Sequence, residues 1–236
     1  MKAMILAAGR GERMRPLTDD CPKPLLQVGG RSLLEWHLIA LARAGFRQVI
    51  INYAWQGAKI PAALGDGARY GLALHYSDEG DQPLETAGGI FKVLSFFEGG
   101  NFVVINGDIW TDFNFKNLPN LDAHAKAALI LVPNPPQHPQ GDFVLQHLLN
   151  AQGEAIANVV TEQQGSPRYT FSGIAVYNKN FFTDCKAGKF PLSPLLQAAA
   201  CSGNVRGQLY QGLWHDIGTP ERLKELDLRL AGGAIS

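Results

Sequence analysis

Apolar and polar positions divide the chain into two halves with different rhythms. In the first half, short runs rich in β-branched and aliphatic residues, KAMILA (2–7), QVIIN (48–52) and LALHYS (72–77), read as strands separated by segments of helical spacing. The best marked helix covers SLLEWHLIALARAG (32–45): Ser32 and Glu35 stand in capping-box spacing, Leu34, Leu38 and Leu41 share a face, and Gly45 supplies the stop. A second helical stretch falls around 55–65, and LETAGGIFKVLSFF (84–97) is a third, ahead of the strand NFVVING (101–107). This alternation predicts βαβ units and an α/β fold.

In the second half strand-like runs dominate: AALILVP (127–133), DFVLQHL (142–148), AIANVVT (155–161) and YTFSGIAVY (169–177). They are expected to extend the sheet and to add a small antiparallel flap, with helices at 178–186, 191–202 and 219–231. PNPPQHPQG (133–141) is too short for an interdomain linker and reads as a rigid loop. There is no internal repeat and no composition boundary, so 1–236 is expected to be one domain.

Composition narrows the function classes. The 236 residues are 46% hydrophobic and 18% charged, with a formal net charge of zero. A global basic field for nucleic acid or anionic membrane is therefore absent, and any anion must be bound locally. Cys21, Cys185 and Cys201 are scattered and lack the paired spacing of zinc sites or disulfide frameworks. Lys2 and the apolar AMILAAG faintly imitate a signal peptide, but the run passes at once into Arg10, Glu12, Arg13 and Arg15 and reads as a buried strand. No apolar stretch approaches the roughly 20 residues of a membrane helix. A cytoplasmic protein is expected, as a monomer or small homo-oligomer.

The local chemistry is concentrated in ILAAGRGERMRPLTDDCPKP (5–24), where a strand opens into a glycine-containing loop with Arg10, Arg13, Arg15 and Lys23. Met14 stands where a dinucleotide fingerprint needs its third glycine, and Gly188-Lys189 is followed by Phe190 rather than the Ser or Thr of a P-loop. A loop at the C-terminal end of such a strand, with free N–H groups and cations, suits a polyphosphate. The plainer alternative is a solvated loop whose arginines pair with Asp19 and Asp20, worth about 0–1 kcal/mol each. Two carboxylates suit a metal: Asp108 after FVVING, and Asp216 in WHDIGTPERL. Each has an ordinary reading too, a hairpin at Asn106-Gly107 and a helix start at Thr219. His215 beside Asp216 reads as structural.

The stretch ILAAGRGERMRPLTDDCPKPLL resembles the signature of sugar-1-phosphate nucleotidyltransferases, roughly L-A-G-G-x-G-T-R-L-x-P-L-T followed by P-K-P. NGD and WHDIGTPERL resemble the family's N-G-D and W-x-D-x-G-T-P-E, and PLETAGGIFK resembles P-L-G-T-A-G-A-L. The resemblance implies a Rossmann-like three-layer α/β/α sandwich around a mostly parallel mixed sheet. Its nucleotide half would be about 1–110 and its sugar half about 111–236. It implies that Ala8, Gly9, Gly11 and, through its main chain, Glu12 wrap the triphosphate. Arg13 would stabilise the departing pyrophosphate, Lys23 would contact the α-phosphate or sugar phosphate, and Glu85 and Gly88 would lie at the base.

By the same resemblance Asp108 and Asp216 hold Mg²⁺, and Arg13, Lys23 and Asp108 form the catalytic set. Asp142 in GDF, Glu162, and Ser172 with Gly173 in FSG fall on the sugar. The implied substrates are UTP and a sugar 1-phosphate, with the finer strings most similar to the branch that takes N-acetylmuramate α-1-phosphate for cell-wall recycling. Mannose-1-phosphate guanylyltransferases share most of those strings. Three departures stand out: Glu12 for Thr or Ser, Glu85 for Gly, and Gln163 where many relatives carry the lysine of E-K-P. A non-catalytic nucleotide-sugar sensor is the reading from another class, and it predicts a damaged site.

Overall fold

The structure, a computed structural model, describes residues 1–149, 153 and 155–232. In chain order, β1 (Lys2–Leu6), the short β2 (Gln27–Val28) and β3 (Arg31–Ser32), α1 (Leu33–Arg43), β4 (Gln48–Tyr53) and α2 (Lys59–Leu64) come first. They are followed by β5 (Ala73–Asp78), α3 (Glu85–Lys92), β6 (Asn101–Asn106), β7 (Ile109–Thr111) and β8 (Ala127–Val132). The remainder is β9 (Phe143–Leu149), β10 (Ala155–Val160), β11 (Arg168–Asn178), α4 (Ser193–Cys201), β12 (Val205–Leu209), β13 (Trp214–Asp216) and α5 (Pro220–Ala231).

Nine strands form one sheet in the order β5-β4-β1-β6-β11-β8-β12-β10-β9. β5, β4, β1 and β6 run parallel. β11 then enters antiparallel between β6 and β8. Beyond it β12 is parallel to β8, while β10 is antiparallel to both β12 and β9. The parallel character is thus strongest in the first half, and the later strands extend the same sheet as expected. The antiparallel elements outside it are two ribbons, β7 with β13 and β2 with β3.

Side-chain alternation builds the layers. Ala3 and Ile5 of β1, with Val49 and Ile51 of β4, pack against Leu34, Leu38 and Leu41 of α1. Met4, Ile50 and Val104 point the other way, into a layer with Ile90 of α3 and Leu196 of α4. Both faces of the central strands are therefore dry, which is why they read as continuous apolar runs and why the result is a three-layer sandwich. The capping box of α1 is complete: Ser32 Oγ accepts from Glu35 N–H at 3.2 Å, and Glu35 Oε2 accepts from Ser32 N–H at 3.0 Å. Such a cap contributes about 1 kcal/mol.

Three elements depart from the sequence pattern. The 55–65 helix contracts to Lys59–Leu64, with Pro61 in its first turn where a missing N–H costs little. The 178–186 helix is a single 3₁₀ turn, Lys179–Phe182, started by Asn178 accepting from Asn180 N–H. β12, VRGQL, was not foreseen, because its strand state is imposed by pairing with β8 and β10 rather than by apolar alternation. For the site, the important consequence is local to β1. α1 and α2 cover one face and α3 the other, so the crossovers diverge and open a crevice at the C-terminal ends of β1 and β6.

Candidate active site

Leaving β1, the chain is pinned at once. Ala7 N–H donates to Asn52 Oδ1 at 2.8 Å, Asn52 Nδ2 donates to Glu79 Oε1 at 2.7 Å, and Glu79 Oε2 accepts from Leu84 N–H at 2.7 Å. Asn52 and Glu79 are buried, so this brace ties the ends of β1 and β4 to the start of α3 with its polar groups satisfied. Gly89 makes room for it, since a Cβ there would lie 2.5 Å from Glu79 Oε1. Further on, Gly11 takes φ 66°, and a Cβ would fall 2.9 Å from Lys23 Cβ. Thr18 Oγ1 donates to the Gly11 carbonyl at 2.8 Å. Met14 is fully buried with Trp110 and Leu226, which explains why this position is no glycine. Between these anchors Glu12 and Arg13 are exposed.

β6 delivers the floor of the crevice. Gly107 N–H donates to the Leu6 carbonyl at 2.8 Å, and Asp108 follows. Lys23 Nζ lies 2.6 Å from Asp108 Oδ2, with the lysine side chain 8% and the aspartate side chain 40% exposed. A buried cation thus holds one oxygen of a half-open carboxylate. The hairpin at Asn106-Gly107 does not form: β7 leaves the sheet and pairs with β13, setting Asp216 opposite Ile109 and His215 opposite Trp110. Ile217 N–H donates to the Asp108 carbonyl at 3.0 Å, which brings the Asp216 backbone alongside.

The Asp216 carboxylate accepts from Arg222, carried by α5 just after its Thr219 cap. A Cβ on Gly218 would meet Arg222 Nη2 at 2.3 Å and Arg13 Nη2 at 3.4 Å, so both guanidinium groups lie over that glycine. Beneath Asp108, His37 of α1 is buried, and that burial pushes its pKa down to about 4.

A cleft of about 570 Å³ results. Ala8, Gly9, Gly11 and Glu12 line one side, and Arg13, Lys23, Asp108 and Glu85 face the same space. A second cavity of about 380 Å³ adjoins it through Thr86 and Asn106, which line both. Asp142 lines the second cavity, but its oxygens are engaged: Oδ2 accepts from Phe171 N–H at 2.7 Å, and Oδ1 is 3.1 Å from His138 Nε2. Arg168, on the same wall, donates to the carbonyls of Gln140 at 3.1 Å, Thr161 at 2.6 Å and Asp142 at 2.7 Å.

Five of the expected site residues line neither cavity. Gly88 is buried behind the wall; a Cβ there would lie 2.3 Å from the Gly188 carbonyl, so its lack of a side chain seats that loop. Ser172 is buried and its Oγ accepts from Ile174 N–H at 3.2 Å, not from the cavity. Gly173, at φ 82°, sits in the β11 irregularity between Phe171 and Ala175, and a Cβ would meet Asn106 Nδ2 at 2.7 Å. Both therefore shape the strand behind Asn106. Glu162 is exposed after β10, and Asp216 is turned to Arg222.

Residues 2–231 match the Nucleotidyl transferase family. The chain belongs to that family. N-acetylmuramate alpha-1-phosphate uridylyltransferase of Neisseria meningitidis is 47% identical over 230 residues, spanning 95% of this chain and 96% of that protein. The protein of the same name from Caulobacter vibrioides is 31% identical over 246 residues, spanning 97% and 96%. The crystal structure of HddC from Yersinia pseudotuberculosis shares the fold, with a TM-score of 0.75 at 20% identity and coverage of 97% and 98%.

In a nucleotidyl transferase the phosphates call for charge neutralisation, and Mg²⁺ commonly takes one or two carboxylates with waters and substrate oxygens. Asp108 fits that role, because its second oxygen is free of Lys23 and opens on the cleft. Asp216 gives one oxygen to Arg222 and lines neither cavity, so it is the less direct candidate. Among the described residues no group of three or more His, Cys, Asp or Glu converges. No helix among them is long and apolar enough to cross a membrane.

Four further residues of this transferase site escaped the sequence reading. Asn52 and Glu79 form the brace, and Thr86 and Asn106 join the cavities. The available signal was a polar residue closing each buried strand, Asn52 after VII and Asn106 after FVVI.

Proposed function

We propose that this protein transfers a uridylyl group from UTP to N-acetylmuramate α-1-phosphate, giving UDP-N-acetylmuramate and pyrophosphate, in cytoplasmic recycling of cell-wall sugar. The observation that carries it is the Lys23–Asp108 pair, 2.6 Å apart, in a cleft that shares the wall residues Asn106 and Thr86 with a second cavity. The N-acetylmuramate uridylyltransferase relatives of nearly equal length support the choice of substrates. One domain then works as a nucleotide half, about 1–110, and a sugar half.

A sugar-phosphate oxygen attacks the α-phosphorus of UTP; the new P–O bond forms as the bond to the β-phosphate breaks, and pyrophosphate leaves. No general base is needed, since a phosphate monoester with a second pKa near ~6 is largely dianionic at neutral pH. The work of the chain is positioning and charge: the loop amides and Arg13 hold the triphosphate, and Lys23 offsets repulsion between the two anions. Mg²⁺ on Asp108, with Asp216 as second candidate ligand, would supply further charge neutralisation.

The test is pyrophosphate release with Mg²⁺ across UTP, dTTP, GTP and CTP, each with muramic, glucosamine, glucose and mannose 1-phosphates. Release with UTP and N-acetylmuramate 1-phosphate is expected. Preference for GTP with mannose 1-phosphate would replace the substrates and keep the reaction, and silence from every pair would favour a sensor.

A further inference from the structure

We propose that Lys189 is a substrate-binding residue whose ammonium takes the phosphate of the sugar 1-phosphate where the two cavities meet. The proposal rests on the nucleotidyl-transfer reading above. Its basis is a loop that serves both cavities at once. Lys189 lines the cleft, whereas Pro191, Leu192 and Ser193 line the second cavity. One loop thus contributes to the walls of both spaces.

The backbone on either side of Lys189 is fixed. Gly88 N–H donates to the Phe190 carbonyl at 3.2 Å, and Phe190 N–H donates to the Leu84 carbonyl at 3.2 Å. The Phe190 ring meets Phe91 edge-on at 6.2 Å, and the Gly188 carbonyl fills the space that Gly88 leaves. From this hydrogen-bonded base the lysine side chain projects 59% exposed.

Of the other cations of the cleft, Lys23 and Arg10 have partners of their own. Lys23 is 2.6 Å from Asp108. Arg10 lies 4.5 Å over the Trp55 ring, and Arg13 lies beside Arg222 over Gly218. Lys189 has a looser partner, Glu85, at 3.9 Å, with that side chain 43% exposed. Such a pair is weak in water. Yet Glu85 occupies the left-handed region, φ 60°, which glycine enters freely and a glutamate does not. A side chain kept at a strained position beside a substrate cleft points to function. Glu85 holds Lys189 against the wall, and an incoming phosphate dianion, with twice the charge and closer approach, displaces it.

Steady-state kinetics test the assignment, varying N-acetylmuramate 1-phosphate at saturating UTP and then the reverse. Lys189→Ala is expected to raise KM for the sugar phosphate about tenfold, the loss of one charge-assisted hydrogen bond at a half-exposed site. KM for UTP should stay within about twofold, and Lys189→Arg should restore most of the loss. An unchanged sugar-phosphate KM in Lys189→Ala, or an increase confined to UTP, would overturn the proposal. Wild-type turnover reports separately on the reaction itself. If wild type is silent, calorimetric binding of N-acetylmuramate 1-phosphate takes over, where equal affinity of wild type and Lys189→Ala refutes the role and about tenfold weaker binding upholds it.

Discussion

The two cavities are built from similar residues put to opposite uses. In the first, main-chain groups and buried side chains do the holding: the Asn52–Glu79 brace, Gly11 against Lys23, and Met14 in the core. This leaves Arg13, Glu85, Lys189 and one oxygen of Asp108 facing open space. In the second, the charged groups are themselves the scaffold. Asp142 is spent on Phe171 N–H and His138, and Arg168 on four carbonyls, that of Gly141 among them. The first cavity is therefore equipped for charge chemistry. The second offers a shaped wall whose recognition falls to backbone, apolar contacts and the residues shared at Asn106 and Thr86. A charged side chain in a cavity is evidence of ligand binding only after its existing bonds have been counted.

The sharpest way to break this contrast is to remove one charge from each side. Asp108→Ala is expected to lower kcat at least about 10³-fold, as loss of a preorganised charge-stabilising group does, with the unfolding midpoint little changed. Any fall in that midpoint would come from Lys23, 8% exposed and left without its ion-pair partner, and is read separately from kcat. Near-normal turnover would remove Asp108 from the reaction and with it the metal assignment.

Acid should find a weakness beneath the first cavity. His37 titrates near 6.5 when free, but burial lowers it to about 4 in the fold. Between those values the unfolded chain binds a proton that the folded chain does not, so stability is full above pH 6.5 and declines as pH falls towards 4. The loss amounts to roughly 3 kcal/mol. Urea unfolding of wild type and His37→Gln over that range measures it. A slope that persists undiminished in the variant would assign the acid sensitivity elsewhere.

The second cavity should answer differently from the first. Asp142→Ala strips the Phe171 N–H of its acceptor and should cost about 2 kcal/mol of stability, with a rise in sugar-phosphate KM and little change for UTP. If activity collapsed while stability held, Asp142 would be a ligand to substrate, and the distinction between free and spent charges would fail at its clearest point.

How much of this was legible beforehand follows the same division. Strand ends, the α1 cap and the glycine-rich loop are local features, written in consecutive residues, and the sequence located them within a few positions. Asp108 was visible because it closes an apolar strand. The bonds that spend Asp142 and Arg168 reach across 29 and 28 residues, and Gly88 meets a loop far downstream in the chain. Pairings of that kind depend on topology: β11 had to enter between β6 and β8 before Gly173 could approach Asn106. β12 was missed for the same reason.

The smallest effect is the most discriminating. Glu85 stands at φ 60° where the family pattern has glycine, so Glu85→Gly relieves strain of about 1 kcal/mol or more, part of which the added freedom of glycine in the unfolded chain cancels. A net gain of about 0.5 kcal/mol in urea unfolding is expected. The same change frees Lys189 of its partner, so KM for the sugar phosphate should hold or fall while stability rises. Were the side chain an incidental occupant of the left-handed region, stability alone would move and Glu85→Gln would be silent in both readouts. Were it a base-reading residue, KM for UTP would rise instead. Stability and the two KM values therefore separate strain without purpose, strain that holds a cation, and strain that serves the nucleotide.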